Sequence, residues 1–350
     1  MSERGESSCN LGVALLKLWL SVEVVMDHFW SPSRHPLFGD PGGLTWFLGQ
    51  MRSYAVPCFM LLAFFFAAER FAALSGDWLR KRFVRLVLPC AFWTTVTFAV
   101  FSALPPFSDF AQPTWRDFAY SICGTNIPLG PHLWFMAVLI LLTGLFAGFY
   151  RFVPERARTA GLWTLLFVAI ALEYSGVNYA LFKTWHHDFQ RPFGRVIPMI
   201  PYACLGLMAG LSRARWSALP VRAKLLLVVA GAAGGAFLLY VPVFVKPAGY
   251  SYTGLQQLTV AIGFCTAAFF LPLEKVTGRL RTLLVFLSRY TMGVYLVHIL
   301  VGRPLENFVF AHVGLTRQTF TGGCFVFAVA WLLCWAVSKL PGRWSKMLVQ

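Results

Sequence analysis

Apolar residues in this chain fall into long blocks separated by short clusters of Arg, Lys, Pro and Gly. A bilayer-crossing helix needs ~20 predominantly apolar residues. Ten stretches meet that length: 11–31, 53–71, 83–104, 132–152, 160–178, 194–212, 222–245, 254–273, 283–303 and 319–340. The second and sixth contain Pro57, Pro198 and Pro201, which helices in lipid accommodate as kinks. No internal repeat and no low-complexity tract interrupts the pattern. It predicts an all-α, polytopic membrane helical bundle of about ten transmembrane helices, by the length rule. The bundle is expected over 11–340, with a polar cytoplasmic tail at 1–10 and a second tail at 341–350.

The distribution of positive charge orients this bundle. With the N-terminus inside, the inner segments carry twenty Lys and Arg and the outer segments nine, Lys17 in the first span making up the thirty. Cytoplasmic loops collect Lys and Arg, so both termini are expected in the cytoplasm. Composition agrees: 58% of residues are apolar, 13% are charged, and mean hydropathy is +0.64. A soluble domain runs nearer 25% charged and needs polar cover that this chain lacks. The same figures exclude disorder. A net charge of +16 reads as positive-inside anchoring, so no nucleic-acid partner is expected. None of the eight cysteines forms a C-x-x-C pair, which argues against a zinc site or a disulfide framework. They read as small core residues, and no metal is expected. The first apolar run has no small-residue cleavage site, so it reads as a span.

Ionisable residues inside apolar spans are costly and commonly mark a cavity or a partner. The first span holds Lys17, Glu23, Asp27 and His28. Eleven helical residues turn through about three full turns, so Lys17, Ser21, Val24 and His28 share one stripe with ~16 Å between its ends. Three further groups fall at the same outer level: His132 at the start of the fourth span, His298 in the ninth, and the pair Arg52 and Arg195 opening the second and sixth. At the inner level Arg82 and Arg85 are i, i+3 and share a helix face, where planar guanidinium forks suit phosphate oxygens. Simpler readings exist for each: Lys17 snorkelling inward, His28 at the headgroups, and the arginines as anchors on lipid phosphate. Asp27 could orient His28 or pair with an outer Arg. His186-His187-Asp188 reads as an outer loop, and Gly231, Gly234 and Gly235 as helix-packing positions.

Taken in order, these segments resemble the acyltransferase 3 family of integral-membrane acyltransferases. Lys17 followed eleven residues later by His28 is similar to the family's basic-residue-x10-His signature. Arg52 to Phe66, with Val56-Pro57-Cys58-Phe59, resembles its second span. Arg82-x-x-Arg85 ahead of Pro89 matches its R-x-x-R element, and His132-Leu-Trp-Phe and Tyr295-Leu-Val-His298 match two more segments. Lys17 stands where the family usually carries Arg, and Leu61-Leu62-Ala63 where a Ser-Gly pair is common. No soluble esterase-like domain follows the last span, as in the stand-alone members.

The resemblance implies acyl transfer, commonly acetyl, from cytoplasmic acyl-coenzyme A to a hydroxyl of a surface polysaccharide or lipid-linked glycan at a bacterial inner membrane. It implies His28 as general base, with Asp27 and His298 beside it in the chemistry. Arg82, Arg85 and Lys17 would hold the coenzyme, and Arg52, His132, Arg195 and Tyr295 the acceptor. Membrane lipid and a carbohydrate or glycolipid are the expected partners. A glycan or small-molecule transporter with His28 and Asp27 as a proton relay is the alternative. Transporters often carry inverted repeats, and no repeat is present here. A membrane sensor or structural protein explains fewest of these features.

Overall fold

The structure is a computed structural model that describes residues 10–29, 54–104, 113–122, 132–177, 187–240, 255–270, 273, 276–310, 312 and 319–349. Helices follow one another as α1 (Leu11–Phe29), α2 (Ala55–Phe65), α3 (Ala68–Ala73), α4 (Gly76–Ala103), α5 (Trp115–Ile122), α6 (Trp134–Phe152), α7 (Glu155–Tyr174) and α8 (His187–Leu211). Then come α9 (Arg213–Ser217), α10 (Val221–Tyr240), α11 (Leu255–Phe270), α12 (Gly278–Ser288), α13 (Thr291–Pro304), a π-helical turn (Leu305–Phe310), α14 (Phe320–Lys339) and α15 (Arg343–Met347). No strand occurs among the described residues. The protein is an all-α polytopic membrane bundle.

Each of the ten expected segments holds a helix. Among the described residues five of these are individually long and apolar enough to cross a membrane, and six if the bent pair α12 and α13 counts as one span. Helix α1 has the length, but Lys17, Glu23 and Asp27 lie within it. Helices α2 and α11 are apolar but shorter. Many large apolar side chains point away from the protein: Val84, Val87 and Phe92 on α4, Trp163 and Phe167 on α7, Leu332 on α14. That arrangement suits a lipid solvent and would be untenable in water.

Local chemistry sets the helix ends. Asn10 caps α1 by accepting from the Val13 N–H at 3.1 Å. Thr319 caps α14 through the Gly322 N–H at 3.1 Å. Ser75 caps α4, so that helix starts seven residues before the expected 83. Its first turns are polar, and a hydropathy threshold does not register them.

The chain divides into two compact units. The first comprises Met1–Phe59, Arg215–Val243 and Leu255–Gln350, the second Met60–Ala214 and Phe244–Gly254. In the first unit α1 is the hub, packed against α11, α12, α13 and α14, and α10 lies along α11. Close crossings rely on glycine. Gly231 and Gly263 touch backbone to backbone between α10 and α11, where a Cβ on Gly263 would lie 2.6 Å from the Gly231 oxygen. Helices α12 and α13 bend by 57° at their junction. The break leaves carbonyls without helical partners, and α14 serves one of them: Trp331 Nε1 donates to the Leu287 oxygen at 3.1 Å. Tyr290 and Ser338 share a second hydrogen bond there at 3.1 Å. In the second unit α8 is the hub, packed on α3, α6 and α7, while α4 packs on α5 and α6.

All six described cysteines are unbridged and five are buried. The five occupy core positions as expected, whereas Cys324 is exposed on α14.

Candidate active site

In the first unit the last turn of α1 brings His28 to His298 on α13. Their ring centroids are 5.2 Å apart and the planes tilt by 38°. The two residues stand 270 positions apart in the chain and meet because α1 packs on α13. His298 is fully buried. Its Nδ1 lies 2.7 Å from the Tyr295 carbonyl and 3.2 Å from that of Val294. Carbonyl oxygens only accept, so Nδ1 carries the hydrogen and Nε2 is the basic nitrogen of the neutral ring. Tyr295 is itself buried, with its ring 6.1 Å from that of His298.

The rest of the α1 stripe follows helical geometry. Ser21 and Val24 are buried between half-buried Lys17 and half-buried His28. Asp27 is exposed, as expected for a neighbour rotated ~100° from His28. Arg52 lies outside the described residues.

Next to His28, Phe29 is 1% exposed and fills a slot on α13. Its ring meets His298 edge-on at 6.2 Å. Gly302 forms the floor, where any Cβ would overlap the Phe29 ring. Arg303 lies over the same ring at 5.6 Å and donates from Nη1 to Glu306 Oε2 at 3.0 Å. Neither Arg303, at the end of the expected span 283–303, nor Glu306 is among the candidate site residues of the sequence. The available signal was an i, i+3 acid–base pair beside Pro304 at a span end.

In the second unit Arg82 and Arg85 diverge. Arg82 is half-buried in a cage of Phe64, Phe71 and Trp78, with Cζ 5.6 Å from each ring. Its Nε donates to Thr143 Oγ1 at 3.2 Å, and Thr143 in turn donates to the Leu139 carbonyl at 2.7 Å. Its buried Nη2 has no hydrogen-bond partner, and no carboxylate pairs with it among the described residues. A guanidinium kept among rings with a free donor is prepared for an anion. Arg85, one turn along, is exposed. Elsewhere in this unit Arg195 stacks on Trp134, Cζ 4.0 Å from the ring centroid. Trp134 follows two residues after His132, which is buried. The sequence singled out His132 and Arg195 but missed Trp134 as the surface that joins their segments. Among the described residues no group of three or more His, Cys, Asp or Glu side chains could hold a metal ion.

Residues 10–338 match the family described as an acyltransferase domain, acyltransferase 3. The match covers nearly the whole chain, which therefore belongs to the acyltransferase 3 family: a multi-pass membrane protein that transfers acyl groups. No curated protein and no solved structure matches it.

Proposed function

We propose that the protein is an O-acyltransferase. It moves an acyl group, acetyl in the simplest case, from cytoplasmic acyl-coenzyme A to a hydroxyl of a surface polysaccharide or lipid-linked glycan at a bacterial inner membrane, with both termini cytoplasmic. The observation that carries this reading is the imidazole pair. His28 and His298 converge to 5.2 Å, and His298 is oriented by two backbone carbonyls.

His28 removes the proton from the acceptor hydroxyl as its oxygen attacks the thioester carbonyl. The carbon–sulfur bond then breaks, and the leaving thiolate takes back the proton that His28 removed, which gives the free thiol and regenerates the neutral imidazole. An imidazole suits this general-base role because its ordinary pKa lies near neutrality. His298, with Nε2 basic, is suited to share the proton that His28 takes up. Asp27 balances the imidazolium charge. A coenzyme thioester carries its phosphates and its acyl carbon at opposite ends of a long arm, so different residues serve the two. Arg82 is the principal phosphate ligand, with Arg85 and Lys17 adding positive charge. Arg52, His132, Arg195 and Tyr295 orient the acceptor.

Thiol release from acetyl-coenzyme A by the purified protein tests this. Wild type should release thiol in the presence of a soluble sugar. His28→Ala should lower turnover by ~10²–10⁴-fold, the usual contribution of a general base, with coenzyme affinity retained. Wild-type turnover in His28→Ala would remove His28 from the chemistry. Absence of thiol release with every acyl-coenzyme A offered would overturn the proposed donor.

A further inference from the structure

We infer that Arg303 and Glu306 are positioning residues that set His28 through Phe29. This rests on the reading of His28 as the base and adds residues that reading does not use.

An ion pair stands in an unfavourable place at the end of α13. Arg303 and Glu306 lie where a span ends in a π-helical turn, with Glu306 side-chain exposure of only 5% and Arg303 of 24%. A buried ion pair is weak support for stability, because desolvation offsets the attraction. Such groups in a membrane segment usually serve a function, and π-helical turns recur at functional sites. Arg303 of the pair lies over the Phe29 ring, and Phe29 is chained directly to His28.

Phe29 is held from three directions: His298 at its edge, Gly302 beneath it and Arg303 across its face. Met26, one turn earlier, sits against Gly323 of α14, where a Cβ would lie 2.5 Å from its sulfur. The final turn of α1 is therefore pinned on both sides. His28 shares that turn, so its imidazole has little freedom to drift from His298. Asn307 closes the arrangement by donating from Nδ2 to the Arg303 carbonyl at 2.9 Å. Glu306 fixes the guanidinium, the guanidinium and Gly302 fix Phe29, and Phe29 fixes the base. A misplacement of about 1 Å at a reacting group is enough to lower rate ~10²-fold.

The test uses the full-length protein in nanodiscs, acetyl-coenzyme A as donor and methyl glucoside as the hydroxyl source. Arg303→Met, which keeps an unbranched chain over the ring, should lower kcat ~10–100-fold with the coenzyme's Kd within about twofold of wild type. Glu306→Gln keeps the shape and should give a smaller loss of the same kind. Arg303→Lys should recover part of the rate, because a cation over the ring is restored. The decisive measurement is coupling. On a His28→Ala background, Arg303→Met should change the residual rate by less than about twofold, since its effect passes through His28. An equal fold-loss on both backgrounds, or wild-type kcat in both Arg303→Met and Glu306→Gln, would overturn the inference. If Arg303→Met does not assemble, the same cycle with Glu306→Gln decides. Wild-type turnover in His28→Ala would instead remove the reading beneath it. Loss in His28→Ala with Arg303→Met unimpaired would remove the inference alone.

Discussion

A single arginine shows how little spacing says about surroundings. Arg82 and Arg85 share a helix face by spacing, yet one is caged by three rings and the other is exposed. Their Lys variants should therefore differ. Lys at 82 keeps the charge but loses the planar fork, the Nε bond to Thr143 and the free Nη2. A charge-assisted hydrogen bond contributes ~1.5–3 kcal/mol. Arg82→Lys should accordingly weaken coenzyme binding about tenfold or more, at ~1.4 kcal/mol per decade. Arg85→Lys, with no cage to disturb, should weaken it less. Calorimetric Kd values for both variants and wild type check this, and equal losses would deny the cage a special role. The candidate site was partly legible in the sequence. Ionisable side chains within apolar spans point to His28 and His298, because lipid makes such residues conspicuous; spacing points to Arg82, and a place at a span start to Arg195. Aromatic neighbours were not legible. Trp134, Phe29, Phe71 and Trp78 look like ordinary apolar residues in a chain that is 17% aromatic, and only packing reveals which of them touch a cation.

Helices were legible where apolar side chains run unbroken and illegible where backbone bonding is rearranged. The expected span 283–303 is two helices meeting at 57°, and no Pro or Gly marks the break at Arg289-Tyr290. Instead α14 stabilises the bend from outside, with Trp331 meeting Phe286 edge-on at 5.2 Å and Tyr290 edge-on at 5.3 Å. Trp331→Phe keeps an aromatic ring there and removes the N–H that serves the Leu287 carbonyl. Leaving a buried acceptor unserved costs ~1–3 kcal/mol. The thermal midpoint in detergent should fall, and Trp331→Leu, which also loses the ring contacts, should fall further. An unchanged midpoint in Trp331→Phe would show that the bend does not depend on that bond.

At the scale of the whole molecule, topology decides whether the proposed chemistry has two sides. The asymmetry of Lys and Arg predicts that reporters fused after Gly76, Arg156 and Trp216 lie in the cytoplasm. Those fused after Pro105, Trp185 and Ala311 should lie outside. A reversed signal at any pair would exchange the faces of Arg82 and His28 and break the reading of a cytoplasmic donor with an external acceptor. The final stretch of the chain bears on the same machinery from an unexpected direction. Residues 341–350 read as a C-terminal tail, and the family match ends at 338. Yet α15 turns back so that Val349 is 1% exposed and sits against Gly293, where a Cβ would lie 2.7 Å from both the Val349 oxygen and Cys334 Sγ. Gly293 lies in the first turn of α13, the helix that carries Tyr295 and His298. A boundary drawn after the last hydrophobic stretch would therefore cut through the backing of the helix that carries His298. The working edge of this enzyme lies beyond the place where its hydrophobicity stops.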